Sequence, residues 1–275
     1  MYVEIVFLLA ASSFITVNSQ DSNDINGIFL PYGDAAGDTR GARRDDGYDE
    51  VDIGVRFLFF GVGHTKLYVN TNGGMTFTGR YSGNNNSPFP IPNNDDPIIA
   101  PWYADCRSDK ENSQIYFRET TDQAILDIID QEIQAASCIN FYFEAKWAFV
   151  ITWWEMTFFG ANDEGKTKLN TFQLVLVLDV TEQHSFAIMN FGRLDWTNKG
   201  GDRSTGLGGT PPAVGFDAAD GENFYSLPGS RTDDTLLLNN RSNIGIPGKW
   251  MFKIDTTVKG KLYKCLLFFV YVSSA

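Results

Sequence analysis

The residue types that most often carry out catalysis are scarce in this sequence, which has two histidines and three cysteines among 275 residues. His64 in "GVGHTKLY" and His184 in "TEQHSF" both lie next to turns at the ends of β-prone segments, where a surface histidine needs no chemical role. The sequence contains no nucleophile elbow, no zinc-protease helix motif and no phosphate-binding glycine loop. We therefore expect neither an enzyme nor a cofactor.

Three adjacent pairs of carboxylates are the next candidates for acid–base chemistry: Asp45-Asp46, Asp95-Asp96 and Asp233-Asp234. Neighbouring side chains on a strand point to opposite faces of the sheet, so the two members of such a pair could not share a substrate. Asp is also a preferred turn residue, because its side chain bonds to nearby backbone amides. The pairs are therefore interpreted as turn residues.

Oxygen-rich segments could bind calcium, which prefers carboxylate and carbonyl oxygens. They occur at residues 93–96 and around Asp105 and Asp109. Neither has the one-three-five ligand spacing of a calcium-binding loop. No metal site is predicted.

The N-terminus has the pattern of a secretory signal peptide over residues 1–19, with an apolar run followed by Val17 and Ser19 at the −3 and −1 positions. Glu4 stands where such peptides usually carry a basic residue. A membrane anchor is the alternative, but a span needs roughly 20 apolar residues and the run is shorter. We expect a secreted protein.

In an oxidising compartment, Cys106 and Cys138 could form a disulfide, because both lie in the body of the chain. Cys265 lies in a C-terminal tail, residues 256–275, that is apolar over too short a stretch to cross a bilayer. The tail could be the start of an anchor or a weak lipid-anchor signal. We interpret it as a truncated or misread chain end, and no membrane insertion is expected.

Two N-glycosylation sequons occur, at Asn85 and at Asn240. Pro88 follows the first sequon and disfavours its modification, so Asn240 is the better candidate. The dibasic pair Arg43-Arg44 meets the minimum requirement of a secretory-pathway protease, although a solvated turn is the simpler interpretation. The net charge of −12 argues against nucleic acid or an anionic membrane as a partner.

Strand patterns dominate the remaining sequence. Alternating or apolar segments of strand length recur from Val51 onward, and "LYVNTNGGMTF" predicts a hairpin because Asn and Gly accept positive φ. One helix is predicted at about residues 120–136, with Thr120 and Gln123 as a capping box and Ile125, Ile128, Ile129 and Ile133 on its apolar face. The fold class is mainly β: an antiparallel β-sandwich with one covering helix.

The most aromatic segment is Trp147–Gly160, "WAFVITWWEMTFFG". It is too short and too polar for a membrane span. Alternation predicts a core strand that is buried on both faces before Trp154, with a bulge at Trp153-Trp154 and "TFQLVLVLDV" as its neighbour. In this pattern Trp154 shares a face with Met156 and Phe158. Trp154 is the residue that could instead belong to an exposed ligand platform.

Several motifs appear in a distinctive order: "FLPYG", "LYVNTNGGMTF", "IIAPWYAD", "IYFRET", "VITWWEMTFFG", "NTFQLVLVLD", "GLGGTPPAVGFDAADGENFYSLPGS" and "GIPGKWMFKID". Their order and spacing resemble the nidogen-like extracellular (NIDO) domain, in its α-tectorin and nidogen form. The likeness extends over residues 28–255 and leaves residues 20–27 as an irregular lead-in. Cys106 departs from the family pattern, and the family provides no catalytic or ligand-contact residues that can be transferred.

The resemblance implies a secreted, non-enzymatic module of the extracellular matrix or of cell–matrix adhesion. Its expected partners are matrix or cell-surface proteins, and homo- or hetero-assembly in the matrix is compatible with it. We expect the contacts to come from loops at residues 81–97 and 200–223, because recognition usually involves irregular loops on a rigid scaffold. The alternative is a lectin-like carbohydrate-binding module, with or without calcium.

Overall fold

The computed structural model describes residues 23–79, 87–93, 95–110, 112–137, 142–197 and 204–255. The predicted signal peptide and the C-terminal tail lie outside these ranges. The described strands are β1 (Thr39–Arg40), β2 (Tyr48–Phe59), β3 (Val62–Asn70), β4 (Met75–Thr76), β5 (Ile98–Tyr103), β6 (Cys106–Arg107), β7 (Gln114–Thr120), β8 (Ala145–Phe158), β9 (Asn170–Asp179), β10 (Ser185–Leu194), β11 (Ala213–Asp217), β12 (Phe224–Ser226) and β13 (Lys249–Lys253). Within the same residues the helices are α1 (Gln123–Ala136) and three 3₁₀ turns, Asp34–Ala36, Gly165–Thr167 and Asp233–Leu237.

The strands form two antiparallel sheets, as the sequence predicted. The first sheet has the order β1-β7-β8-β9-β10-β13, with the short β6 also paired to β8. The second has the order β12-β11-β5-β4-β3-β2. The predicted hairpin joins β3 to β4, where Tyr68 pairs with Thr76 and Gly73 has a φ of 75°.

The main core lies between the two sheets and is rich in aromatic side chains. From β8 it receives Trp147, Phe149, Ile151 and Trp153, each at most 1% exposed. β9 pairs with β8 along most of its length, which confirms the predicted neighbour. The aromatic segment is therefore the central strand of the core.

A second core covers the outer face of the first sheet, beneath α1. Small and aliphatic β8 residues, Ala148 and Val150, face the helix, whereas the large aromatic residues face the other sheet. The helix buries Leu126, Ile129, Ile133 and Ala136. Ile128 is exposed, so its predicted place on the apolar face is wrong: the stripe that faces the sheet runs through Leu126 instead.

The helix begins later than predicted, and its cap is Asp122 rather than Thr120. The Asp122 side chain accepts a hydrogen bond from the Ala124 amide at 2.8 Å, which satisfies one of the free amides of the first turn. Thr120 Oγ1 instead accepts from the Asp122 amide at 3.1 Å. Both residue types are good caps, and Thr120 is already the last residue of β7.

Residues 23–41, hereafter the lead-in, extend past the predicted boundary at residue 27 and pack against the first sheet, and Leu30 belongs to the outer core. The Leu30 amide donates to Gln173 Oε1 and its carbonyl accepts from Gln173 Nε2, both at 3.0 Å. This backbone pairing with a side chain of β9 attaches the lead-in to the centre of the sheet. Within the described residues, no helix is both long enough and apolar enough to cross a bilayer.

Candidate interaction surface

Four aromatic side chains form a continuous row on the outer face of the first sheet: Phe29, Tyr32, Tyr116 and Trp154. Successive ring centroids are 6.0, 6.3 and 6.4 Å apart, and the rings are inclined at 60°, 45° and 58° to one another. All four side chains are partly exposed. We call these four residues the aromatic row.

Trp154 reaches this face because β8 contains a bulge directly after it. The register of β8 against β9 shifts between Trp153 and Met156, and Glu155 has a φ of 50°. The predicted bulge is thus present one residue further on, and the predicted face of Trp154 is wrong. Met156 returns to the inter-sheet core, whereas Trp154 points away from it, on the side of Thr152.

The bulge is fixed by hydrogen bonds to β9 and to the residue that precedes β7. The Glu155 amide donates to Thr171 Oγ1 at 3.0 Å, and the Glu155 carbonyl accepts from Ser113 Oγ at 2.6 Å. Asn23 Nδ2 donates to the Glu155 carboxylate at 3.1 Å. Because these bonds hold both the backbone and the side chain of Glu155, the position of Trp154 is set by the sheet.

Tyr116 is positioned by the edge strand β1. Arg40 lies opposite Tyr116 in the β1–β7 register, and its guanidinium carbon is 5.9 Å from the ring centroid. Arg40 Nε donates to Asp34 at 2.8 Å, and Nη2 donates to the same carboxylate. Burial raises the pKa of Tyr116, an effect that the nearby Arg40 opposes.

Phe29 and Tyr32 lie in the lead-in, whose backbone is fixed around them by hydrogen bonds to Asp24 and Asp38. The Asp24 carboxylate accepts from the Ile28 and Phe29 amides at 2.9 and 3.1 Å. Beyond Tyr32, the buried Asp38 carboxylate accepts from the Gly33 amide at 2.7 Å and pairs with Arg118 at 2.6 Å. Burial raises the pKa of Asp38 more than this ion pair lowers it.

The two loops in which the sequence predicted contacts meet at Asp217, the last residue of β11. Its buried carboxylate accepts from the Ile91 amide at 2.7 Å and from the Ala219 amide at 2.8 Å. The segment 200–223 is only partly a loop, however, because β11 occupies Ala213–Asp217 and pairs with β5. Residues 80–86, 94 and 198–203 lie outside the described part of the chain.

Cys106 is fully buried in the inter-sheet core, and burial raises the pKa of its thiol well above the usual value. Cys138 lies outside the described residues. Ala136, near it in sequence, packs in the outer core on the other side of the first sheet. The Cys106–Cys138 bridge stays a prediction, and alkylation with and without prior reduction tests it.

Asn240 is exposed three residues after the end of a 3₁₀ turn, and its amide donates to the Leu237 carbonyl at 3.0 Å. Its side chain is accessible for glycosylation, which stays a prediction. Asn85, the other sequon, lies outside the described residues.

The candidates for metal binding and acid–base chemistry have other contacts. Asp109 forms an ion pair with Arg107 at 2.8 Å, and His184 Nδ1 is 3.0 Å from Asp255. In the described residues no group of three or more His, Cys, Asp or Glu side chains could hold a metal ion.

The profile of the nidogen-like domain family, NIDO, matches residues 65–256. The chain belongs to this family. Mouse α-tectorin is 38% identical over 79% of the chain, and human α-tectorin is 35% identical over 90% of it. The nidogen of Drosophila melanogaster is 34% identical over 71%. No solved structure matches the chain significantly.

The NIDO chain covers only 10% of the length of mouse α-tectorin and 14% of that of the Drosophila nidogen. These relatives are secreted proteins of the extracellular matrix, and the domain is a module of that class. The family profile begins within β3, so the aromatic row combines residues from outside the match (Phe29 and Tyr32) with residues inside it (Tyr116 and Trp154). Alternation alone could not reveal the row, because its members come from three separate segments.

Proposed function

We propose that this domain is a non-enzymatic module that takes part in matrix or cell–matrix adhesion through contacts with other matrix or cell-surface proteins. The observation that carries the proposal is the similarity to α-tectorin and nidogen across most of the folded domain. Secretion through the peptide at residues 1–19 belongs to the same proposal.

The joined loops of the second sheet supply the contact surface in this proposal. Asp217 ties residues 91 and 219 to the end of β11, so the two loops are held in a fixed relative position. Exposed side chains in this region include Pro92, Asp95 and Glu222. A rigid base that presents irregular, exposed loops is the usual arrangement of a recognition surface, because little conformational freedom is lost on binding.

The experiment is affinity capture from solubilised extracellular matrix with the recombinant domain, followed by mass spectrometry and direct titration of the purified captured protein. We expect saturable binding of a matrix or cell-surface protein, including a second copy of this domain. The variant that tests the loops is Pro92→Ser, Asp95→Ser and Glu222→Ser, which should weaken this binding and which leaves Asp217 in place. Failure of every captured protein to bind in direct titration would refute the proposal.

A further inference from the structure

The aromatic row has a rigid base. Trp154 follows the backbone course set by the Glu155 bulge, Tyr116 lies in the centre of β7, and the lead-in that carries Phe29 is bonded to β9 through Leu30 and Gln173. Partly exposed rings in such a setting lose little freedom when a ligand covers them. The row therefore has the preorganisation of a binding site.

Both arginines that flank the row are paired with carboxylates, and the chain as a whole carries a net charge of −12. Arg40 is paired with Asp34, and Arg118 with Asp38. Two further carboxylates flank the row: Asp24, which accepts from the Ile28 and Phe29 amides, and Glu155, which accepts a hydrogen bond from the neutral Asn23 side chain. Among the described residues that flank the row, both arginines are thus neutralised, so an anionic ligand would find no free positive charge and would be repelled by the whole molecule.

The rim of the row offers both donors and acceptors to hydroxyl groups. Nε and Nη2 of Arg40 donate to Asp34, which leaves Nη1, in the described part of the chain, to donate to a ligand. The partly exposed Glu155 carboxylate has acceptor capacity beyond its bond from Asn23. A ligand that suits the row has apolar faces for the rings and a hydroxylated edge for these groups, and it carries no charge.

We propose that the aromatic row is a binding site for an uncharged carbohydrate chain, with pyranose rings stacked on Tyr116 and Trp154. Sugar rings present C–H faces that pack on aromatic rings, and their hydroxyls pair with a few placed polar groups. A hydrophobic peptide fits less well, because ion pairs interrupt the edge of the row. A basic peptide would find Asp34 and Asp38 already paired with arginines, so Asp24 and Glu155 are the carboxylates left to it in the described flank of the row.

The site has a built-in spectroscopic probe. The chain has six tryptophans, and the side chains of Trp102, Trp147, Trp153, Trp196 and Trp250 are at most 4% exposed. Trp154 is the one that is partly exposed. Quenching of tryptophan fluorescence by acrylamide therefore reports on Trp154, and a sugar that covers the row should protect it.

The test titrates the folded domain with chitotriose, cellotriose and maltotriose as neutral probes, and with sialyllactose and a heparin tetrasaccharide as charged probes. We expect at least one neutral probe to bind and to protect Trp154 from acrylamide, with neither charged probe doing so. Trp154→Ala and Tyr116→Ala should each weaken that binding about tenfold. Tyr142→Ala, at an aromatic side chain that is 74% exposed elsewhere, should leave it unchanged.

Thermal unfolding of each variant identifies any that fails to fold. If Trp154→Ala is one of these, Trp154→Phe provides a milder substitution, which keeps an aromatic face and should retain most of the affinity. Absence of binding by all neutral probes, preference for a charged probe, or equal affinity of Trp154→Ala and the wild type would overturn the proposal. The two proposals can fail independently. Trp154→Ala should weaken sugar binding but leave the capture of a protein partner unchanged.

Discussion

The side-chain amide of Gln173 forms the same two hydrogen bonds with the Leu30 backbone that a neighbouring strand would form, both at 3.0 Å, across 143 positions of sequence. Gln173 is fully buried and also donates to Thr152 Oγ1 at 2.9 Å and accepts from Asn190 Nδ2 at 3.1 Å. The lead-in is therefore part of the domain, and it brings Phe29 and Tyr32 to the surface that bears Trp154.

Replacement of Gln173 by alanine should release the lead-in. Two backbone groups of Leu30 would lose their partners, and a buried polar group left unpaired costs about 1–3 kcal/mol. We expect a loss of about 2–3 kcal/mol in unfolding free energy, together with faster exchange of the Leu30 amide hydrogen. Gln183→Ala, at an exposed glutamine, should change neither quantity. Unaltered Leu30 exchange in Gln173→Ala would contradict this role.

The ion pair between Lys249 and Glu132 joins α1 to the edge strand β13. Nζ lies 2.6 Å from Oε1, and the lysine side chain is 1% exposed. Glu132→Gln would leave a buried ammonium group unpaired, and we expect it to cost about 3 kcal/mol in urea unfolding. The paired substitution of Glu132→Leu with Lys249→Met should recover most of that stability.

The matched control for this pair is Glu164→Gln, which removes a surface ion pair with Lys168 at 3.2 Å, where the Glu164 side chain is 64% exposed. Exposed pairs contribute little, so its effect should stay below about 0.5 kcal/mol. If Glu132→Gln and Glu164→Gln lose equal stability, the buried ammonium group of Lys249 does not need the Glu132 carboxylate as a partner.

His64 should make the stability of the domain depend on pH. Burial, and secondarily Arg56, lowers the pKa of His64 below its ordinary value of 6.5. Its ring packs against Phe77 with centroids 4.4 Å apart and a tilt of 34°, and in the described structure Nε2 is buried without a hydrogen-bond partner. Below about pH 6.5 the unfolded chain binds the proton more readily than the folded domain.

Stability should therefore fall as the pH drops below 6.5 towards the folded-state pKa of His64. In His64→Phe this part of the pH dependence should disappear, because no proton binds there in either state. Urea unfolding midpoints at several pH values measure the effect, with His184 present in both proteins. Identical slopes in the two proteins would show that His64 does not titrate in this way.

The dibasic pair should resist proteolysis in the folded domain. Arg43 Nε donates to the Ser108 carbonyl at 2.9 Å, the Arg44 amide donates to Ser108 Oγ at 3.0 Å, and Arg44 Nη2 pairs with Asp49 at 2.8 Å. A protease that requires an accessible, extended segment cannot bind a backbone held in this way. We expect a dibasic-specific protease to cut a peptide of residues 36–50 but not the native domain. Equal rates of cleavage would contradict this protection.

The sequence predicted the parts of the fold that depend on local pattern. Alternation accounts for the burial of Trp147, Phe149 and Trp153, turn chemistry for the hairpin at Asn70–Gly74, and helical periodicity for α1. The face of Trp154 could not be obtained in this way. A displacement of the bulge by one residue reverses the face of Trp154 while Met156 stays in the core, and the bonds that fix the bulge come from Ser113, just before β7, and from Thr171 on β9.

The parts of the fold that the sequence did not predict depend on long-range polar contacts. Residues 23–41 have no periodicity, so their sequence resembles that of a loop. Their position in the fold is set by distant partners, namely Gln173, Arg118 and Tyr116. Likewise, composition marks residues 91 and 219 as loop positions, but the side chain that joins them, Asp217, ends a strand with an apolar pattern. Neither set of contacts has a local sequence signal.

The adhesion-module account is tested most directly by titrating a captured matrix protein, in purified form, against three versions of the domain. Binding to the variant Pro92→Ser, Asp95→Ser and Glu222→Ser should be at least about tenfold weaker than to the wild type, because a few central residues carry most of an interface's affinity. A control with three exposed substitutions elsewhere, Val62→Ser, Asp163→Ser and Lys166→Ser, should bind normally. Undiminished binding to the loop variant, with its fold intact, would contradict the account.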